Sequence, residues 1–429
     1  AFQSTGIQSA DLPGSLRSIG KYAFNGARYL GSIEVPGLVK TIGNEAFYSC
    51  SSLSEINLGG DLLSIGDYAF YNCSAVSGLT LPDKMTTIGS SAFGRCSKLK
   101  ELAFPNSIET IGGSVLENCT SLERVSFGGN VKNVLGNVFK GCPKLSGITV
   151  SESNANIMAE NNVLYNKEKS KIIYYASGMA GDKFSIPDTV KTVGSYAFTY
   201  CTHLAEVRFP EAVESLEINA VYHNDSVTKL LFYGNAPTVT EDGYCTVGNT
   251  NGYTEVCYAL NSSVSSNSVK GGSYDNTGLM VFKTKESTGW ENGWESTKVY
   301  KSHESHTEYE WRQGYLVEEW DPDKTDVSSG TFGDLKWDYR DDIGQITFSG
   351  EGKVPDFKED ELPTWSLADG VDHMQDIKLV ETGDAAEIGN NAFLGAKRLR
   401  VVFTENKLTR VGERAFANCT ALEVIRMQN

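Results

Sequence analysis

Three groups of residues in this chain have side chains capable of chemistry. The first is a ladder of cysteines, Cys50, Cys73, Cys96, Cys119 and Cys142, spaced by 23, with Cys201 and Cys419 further on. Exposed thiolates could hold metal or form disulfides, but metal sites want close pairs such as C-x-x-C, and the chain has none. Ala27 and Ala396 fill the same position in other copies, so the slot asks for a small apolar residue and not for sulfur. The second group is His303-Glu304-Ser305-His306. A zinc-hydrolase helix needs histidines at i and i+4 plus a third ligand, so this stretch reads as solvated. The third is Asp321, Asp323 and Asp326, which lack the central glycine and terminal glutamate of a calcium loop and read as a polar linker. Cys245 and Cys257 lie outside the ladder, and a disulfide between them stays open. With five histidines and no G-x-S-x-G, P-loop or dinucleotide fingerprint, no catalytic, cofactor or metal residue is expected.

Charge narrows the partners. Lys plus Arg is 38 against Asp plus Glu 54, a formal net charge of −16, which repels phosphate backbones and argues against nucleic acid. No run of about 18 apolar residues is present, so no membrane span is expected.

The elements that would position any site repeat. Ile42, Gly43, Ala46, Phe47, Cys50, Leu53, Ile56 and Leu58 recur as Ile65, Gly66, Ala69, Phe70, Cys73, Val76, Leu79 and Leu81. The first slot falls at Ile19, Ile42, Ile65, Ile88, Ile111 and Val134. A fixed period of this length marks a solenoid. In each copy the second half, such as Leu99-Lys-Glu-Leu-Ala-Phe104, alternates like a short strand. The first half, with Ala46-Phe47, is expected to form a short helical turn, capped by Asn44, Asp67, Ser90, Ser195 or Asn390. The expected fold class is therefore an α/β solenoid of leucine-rich type, a parallel strand plus a helical turn per 23 residues.

Along the chain, 1–237 reads as one solenoid with a hairpin inserted at about 151–190. There Asn162-Val-Leu-Tyr-Asn166 and Lys171-Ile-Ile-Tyr-Tyr175 flank Lys167-Glu-Lys-Ser170. Residues 238–316 lack the period and read as a β-rich cap, and 317–330 as a linker. Residues 331–429 read as a second module, a β-hairpin cap followed by a truncated repeat segment starting at Ile388. Ala1-Phe2 and Ile425-Arg426-Met427 fall inside the pattern, so a fragment of a longer array, without its signal peptide, is expected.

The string I-G-x-x-A-F-x-x-C-x-x-L-x-x-I-x-L-P resembles the BspA-like, or Treponema pallidum type, leucine-rich repeat. The resemblance covers about 1–237 and 331–429. It extends to the inserted hairpin and to Leu335-Lys-Trp followed by Ile346-Thr-Phe-Ser-Gly350. Leu135 and Glu217 replace the glycine, and Val115-Leu116 replaces Ala-Phe. The resemblance implies a secreted or cell-surface bacterial protein that binds extracellular or host proteins in adhesion. It brings no catalytic or cofactor residues, and a monomeric chain is expected.

The candidate binding face is the outward side of the strands, expected to be concave: Glu55, Asn57, Thr80, Glu101, Arg124, Ser126, Thr149, Glu206 and Arg208. It has no aromatic row, so a solvated sheet face is the competing reading. Trp290 and Trp294, expected to be exposed in 238–316, are the alternative site and would stack on sugars. A passive spacer is the remaining alternative.

Overall fold

The computed structural model describes residues 1–240, 280–290 and 296–428, apart from 218, 223, 225, 304–305, 314–315, 325–326, 364 and 366–372. Each coil gives short strands to two parallel sheets. In the front sheet Ser32–Glu34 pairs with Glu55–Asn57, and Arg124–Phe127 lies between Glu101–Phe104 and Gly147–Val150. Ile33 lies opposite Ile56 and Leu102 opposite Val125, so each inward slot meets its own copy one coil on. A back sheet joins Ser18–Ile19, Thr41–Ile42, Ser64–Ile65, Thr87–Ile88 and Thr110–Ile111. The first slot of the repeat is thus a strand of its own. Two residues are too few to show alternation, so the sequence pattern did not mark it.

The expected helical turn does not form. Among the described residues there is no α-helix, and Gly136–Phe139 makes a single 3-10 turn. Two residues per coil adopt left-handed φ, Glu45 at 54° and Ser49 at 56°, then Tyr68 at 55° and Asn72 at 60°. An α-helix needs right-handed φ throughout, so these reversals forbid it. The amides alternate instead. Those of Glu45, Phe47 and Ser49 donate to the carbonyls of Asp67, Ala69 and Tyr71 in the next coil. Those of Ala46, Tyr48 and Cys50 close tight turns on Gly43, Glu45 and Phe47. The residues expected as helix caps tie coils together. Asn44 Oδ1 accepts the Asp67 N–H at 3.1 Å, Asp67 Oδ1 accepts the Ser90 N–H at 2.7 Å, and Asn390 Oδ1 accepts the Glu413 N–H at 2.8 Å.

Apolar slots build a core column along the stack. Phe24, Phe47 and Phe70 are buried, with successive ring centroids 5.0 Å apart and planes 3° from parallel. Each such side chain contributes about 1.5–3 kcal/mol by leaving water. The glycine slot follows from coil spacing, since a Cβ on Gly66 would stand 2.6 Å from the Asn44 nitrogen.

At 157–175 three strands run antiparallel: Ile157–Glu160, Val163–Asn166 and Lys171–Tyr175. The last pairs in parallel with Thr192–Val193, so the insert opens a fresh back sheet. A fresh front sheet holds Lys183–Ser185, Glu206–Phe209 and Lys229–Phe232. That ladder does not stop at Pro237. Met280–Thr284 and Leu316–Trp320 add two more parallel strands, with Leu230 opposite Val281 and Phe282 opposite Glu318. Leu316–Trp320 and Val327–Phe332 are therefore paired strands inside the stretch read as a linker.

The second module has its own front sheet. Val327–Phe332, Leu335–Arg340 and Gln345–Ser349 pair antiparallel, then Leu379–Glu381, Val401–Glu405 and Val424–Gln428 follow in parallel. This sheet packs on the second front sheet of the first array. Leu231, Met280, Phe282 and Trp320 from one side meet Ile343, Leu379, Val401 and Phe403 from the other in one buried cluster. Lys229 Nζ donates to Gln345 Oε1 at 3.1 Å and to Glu381 Oε1 at 2.9 Å. Arg400 pairs with Glu318 at 3.0 Å.

Candidate functional site

The outward slots of the front strands have two fates. In the first half they face solvent. Glu55, Asn57, Thr80, Glu101, Arg124 and Thr149 are exposed and Ser126 is half-buried. Thr80 lies outside the paired strands, since 77–80 makes no ladder contact. Arg124 Nη2 donates to Glu101 Oε2 at 2.9 Å across adjacent coils, both side chains largely exposed. Such a pair is worth about 0.2–1 kcal/mol, and it leaves both groups available to a partner.

In the second half the same slots are exposed at Lys183 and Ser185 and become sealed from Glu206 onward. Glu206, expected on the open face, has no exposed surface. Its carboxylate takes Arg208 at 2.8 Å and Arg340 of the second module at 2.5 Å. Burial pushes the Glu206 carboxyl up, but the two guanidiniums outweigh it and hold the group below its ordinary value. Arg208 is half-buried beside it. These two residues belong to the joint between modules. The outward slots beyond them are Lys229, Leu231, Met280 and Phe282, and apolar types there mark a covered surface.

Trp290 is not an exposed platform. It is fully buried, its Nε1 donates to Ser287 Oγ at 3.1 Å, and its ring meets Phe232 edge-on at 5.1 Å. Trp294, Cys245, Cys257 and Asp326 lie outside the described residues, as does the turn between His303 and His306.

The cysteine slot accepts alanine at 27 and 396, and five of its cysteines add a hydrogen bond. Cys50, Cys73, Cys96, Cys119 and Cys142 each donate Sγ–H to the carbonyl 26 residues back, at 3.0–3.4 Å. Asn224 fills the slot in a decayed coil and donates Nδ2–H to the Phe198 carbonyl at 2.8 Å, the same offset. The thiols are free, and burial pushes those of Cys96 and Cys142 up to about 12, which keeps them out of thiolate chemistry, while the contact with Cys73 draws the Cys50 thiol down.

Among the described residues, no three His, Cys, Asp or Glu side chains are set to hold a metal ion. A cleft of about 850 Å³ opens at the joint, lined by Glu286, Glu319, Trp320, Asp321, Asp341 and Lys378 among others. Lys324 pairs with Asp341 there at 3.1 Å, and burial pushes Lys378 down. Ser287 in its lining donates Oγ–H to the Thr284 carbonyl at 2.7 Å. The aromatic row missing from the front face lies on the turn edge instead, where Tyr48 and Tyr71 stack at 5.3 Å. The signal was the repeated tyrosine next to Ala-Phe, in slots outside the strand.

The geometry defines a β-solenoid of stacked parallel strands with one open polar stretch of its front face and one sealed stretch. The BspA type leucine rich repeat region model matches residues 1–79, 40–171, 170–251 and 370–429 in six copies. The chain belongs to the BspA type leucine-rich-repeat family. Among solved structures it is similar to a leucine rich cell surface protein from Faecalibacterium prausnitzii, at 18% identity and TM-score 0.44, over 99% of this chain and 88% of that one. It is also similar to the T. pallidum leucine rich repeat protein, at 29% identity and TM-score 0.32, over 33% of this chain and 68% of that one. The pneumococcal vaccine antigen PcpA aligns at 21% identity and TM-score 0.45, over 63% and 80%. The search of curated proteins returned no match. No helix among the described residues is long and apolar enough to cross a membrane.

Proposed function

We propose that this chain is a protein-binding module of a larger cell-surface or secreted protein, used in adhesion to extracellular or host proteins. It works by recognition and not by catalysis. One observation carries the reading: the front slots of the first half stay polar and uncovered, whereas this chain buries the equivalent slots wherever it has a partner sheet for them. A solenoid face left open in this way offers rows of side chains at about 4.8 Å per paired coil.

The test is a binding screen of the chain against purified extracellular-matrix proteins, beside a glycan array. A saturable protein hit that survives moderate salt supports the reading. Silence from both, with the protein shown to be folded, defeats it in favour of a spacer. The spacer reading draws on the ion-paired joint, which holds the two arrays in one fixed relation. Sugar recognition at Trp290 has no support, because that ring is buried.

A further inference from the structure

Four side chains close a ring at the joint between the modules. Lys229 Nζ donates to Glu381 Oε1 at 2.9 Å and to Gln345 Oε1 at 3.1 Å. Gln345 Nε2 donates to Thr347 Oγ1 at 2.9 Å, and the Thr347 hydroxyl donates to Glu381 Oε2 at 3.3 Å. Register sets the ring. Gln345 and Thr347 stand two apart on one strand and so share a face, and Thr347 lies opposite Glu381 on the next. Lys229 comes from the facing sheet, 116 residues before Gln345.

The surroundings are apolar. Met280 lies beside Lys229, Leu379 beside Gln345 and Phe403 beside Glu381 in the ladders, and all three are buried. Lys229 is 5% exposed and Gln345 3%. Holding the modules together does not call for such a ring, since Arg400 and Glu318 do it with an ion pair. The extra groups are the parts of an acyl transfer, with the amine as nucleophile and the carboxamide as electrophile. A carbonyl bond is about 1.2 Å long, so Nζ stands within about 4.3 Å of Gln345 Cδ. Both reactants belong to one chain, so attack is intramolecular, and the dry walls keep water from competing. The Glu381 carboxylate touches the amine with one oxygen and reaches the leaving nitrogen through Thr347 with the other.

We propose that the Lys229 amine and the Gln345 carboxamide join in an isopeptide bond, which locks the second module onto the first array. The step is a single-turnover reaction of the chain on itself and does not depend on the protein-binding reading. Glu381 Oε1 takes a proton from the Lys229 ammonium, and the freed lone pair attacks Cδ. A second proton leaves Nζ by the same oxygen as the tetrahedral carbon forms. The bond from Cδ to Nε2 then breaks, and both protons reach the departing nitrogen from Glu381 by way of the Thr347 hydroxyl. An ammonium and a carboxamide thus become one secondary amide and one ammonium ion. Glu381 returns to its carboxylate, and nothing is oxidised or reduced.

The experiment is mass spectrometry of the whole chain, folded first and then denatured. The proposal expects an intact mass one ammonia below the value set by the sequence. It also expects a protease digest in which the peptides holding residues 229 and 345 are joined. Lys229→Met, Gln345→Ala and Glu381→Gln should each show the full mass of their own sequences. A wild-type chain at full mass overturns the proposal and leaves the ring an ion-paired contact. Ammonia lost while the two peptides stay separate overturns it as well. A cross-link that persists in Glu381→Gln removes the proton carrier, and the mechanism falls with it. The wild-type mass decides the question even where a variant fails to fold.

Discussion

The front strands between 32 and 150, two ladders split at 77–80, and the front sheet between 183 and 320 are built on the same slots and end in opposite states. In the first, the outward residues are Glu55, Asn57, Glu101, Arg124 and Thr149, all exposed. In the second, Lys183 and Ser185 of the first strand are still exposed and Arg208 is half-buried, and the slots that follow, Glu206, Lys229, Leu231, Met280 and Phe282, are buried against another sheet of the same chain. Inward residues barely differ, since Val125 and Val207 are equally core. The lesson is that the repeat fixes the core and leaves the face free to be written for its neighbour. Where the neighbour is known, apolar residues and charges closed by partners appear. Where no sheet of this chain covers the face, exposed polar residues and the Arg124–Glu101 ion pair appear.

The largest test of the contrast is Phe282→Ala. It should cost about 3–5 kcal/mol in urea unfolding by opening a cavity in the joint. A cost below about 1 kcal/mol would mean that the face is not sealed. Arg340→Ala comes next. It leaves Glu206 buried with Arg208 alone, and losing a partner of a buried pair costs about 3 kcal/mol or more. The same pair sets a pH dependence. Glu206 has a folded value below its unfolded one, about 4.3, so its contribution is complete above that pH and is lost as pH falls through the folded value. Wild type should lose joint stability in acid, and Arg340→Ala should lose much less over the same window. Parallel pH profiles of the two proteins would refute this assignment.

Smaller effects compare the donor slot across the regions. Asn224→Ala removes two buried hydrogen bonds, to the Phe198 carbonyl and from the Cys201 N–H, and should cost about 2 kcal/mol. Cys96→Ala removes one S–H donor and little volume, and should cost about 1 kcal/mol. Equal melting temperatures for Cys96→Ala and wild type would restore the reading of the slot as a question of size alone. Smallest of all, Arg124→Ala on the open face should change stability by about 0–1 kcal/mol, because its pair with Glu101 is screened by water.

Most of the stacking was legible in the sequence because it is local and periodic. The eight slots from Ile42 to Leu58 recur as side-chain types, and side-chain types decide which way a coil faces. Three features were not legible. Left-handed φ at Glu45 and Ser49 has no strong signature in those residue types, so Ala46-Phe47 looked helical when it is a turn ladder. Met280–Thr284 continues the sheet after a long excursion from Phe232, and a fixed-period comparison loses register across such a gap. Burial of Glu206 depends on Arg340, 134 residues away, and no window around Glu206 contains that information. For the candidate site, the open slots from Glu55 to Thr149 could be read from alternation. The tyrosine edge could not, because its residues lie in the half of the coil assigned to a helix.

The most direct test of the two-face account is thiol labelling of two single substitutions in the native protein, Thr149→Cys on the open face and Leu231→Cys on the sealed one. Both substitutions are made in a form carrying Cys245→Ser, Cys257→Ser and Cys419→Ala, which leaves only the buried cysteines Cys50, Cys73, Cys96, Cys119, Cys142 and Cys201 as background. The account predicts that the thiol at 149 reacts at the rate of a free thiol, while the thiol at 231 reacts only as fast as the joint opens. Equal, rapid labelling at both positions would show that the second module does not cover the face, and would contradict the account.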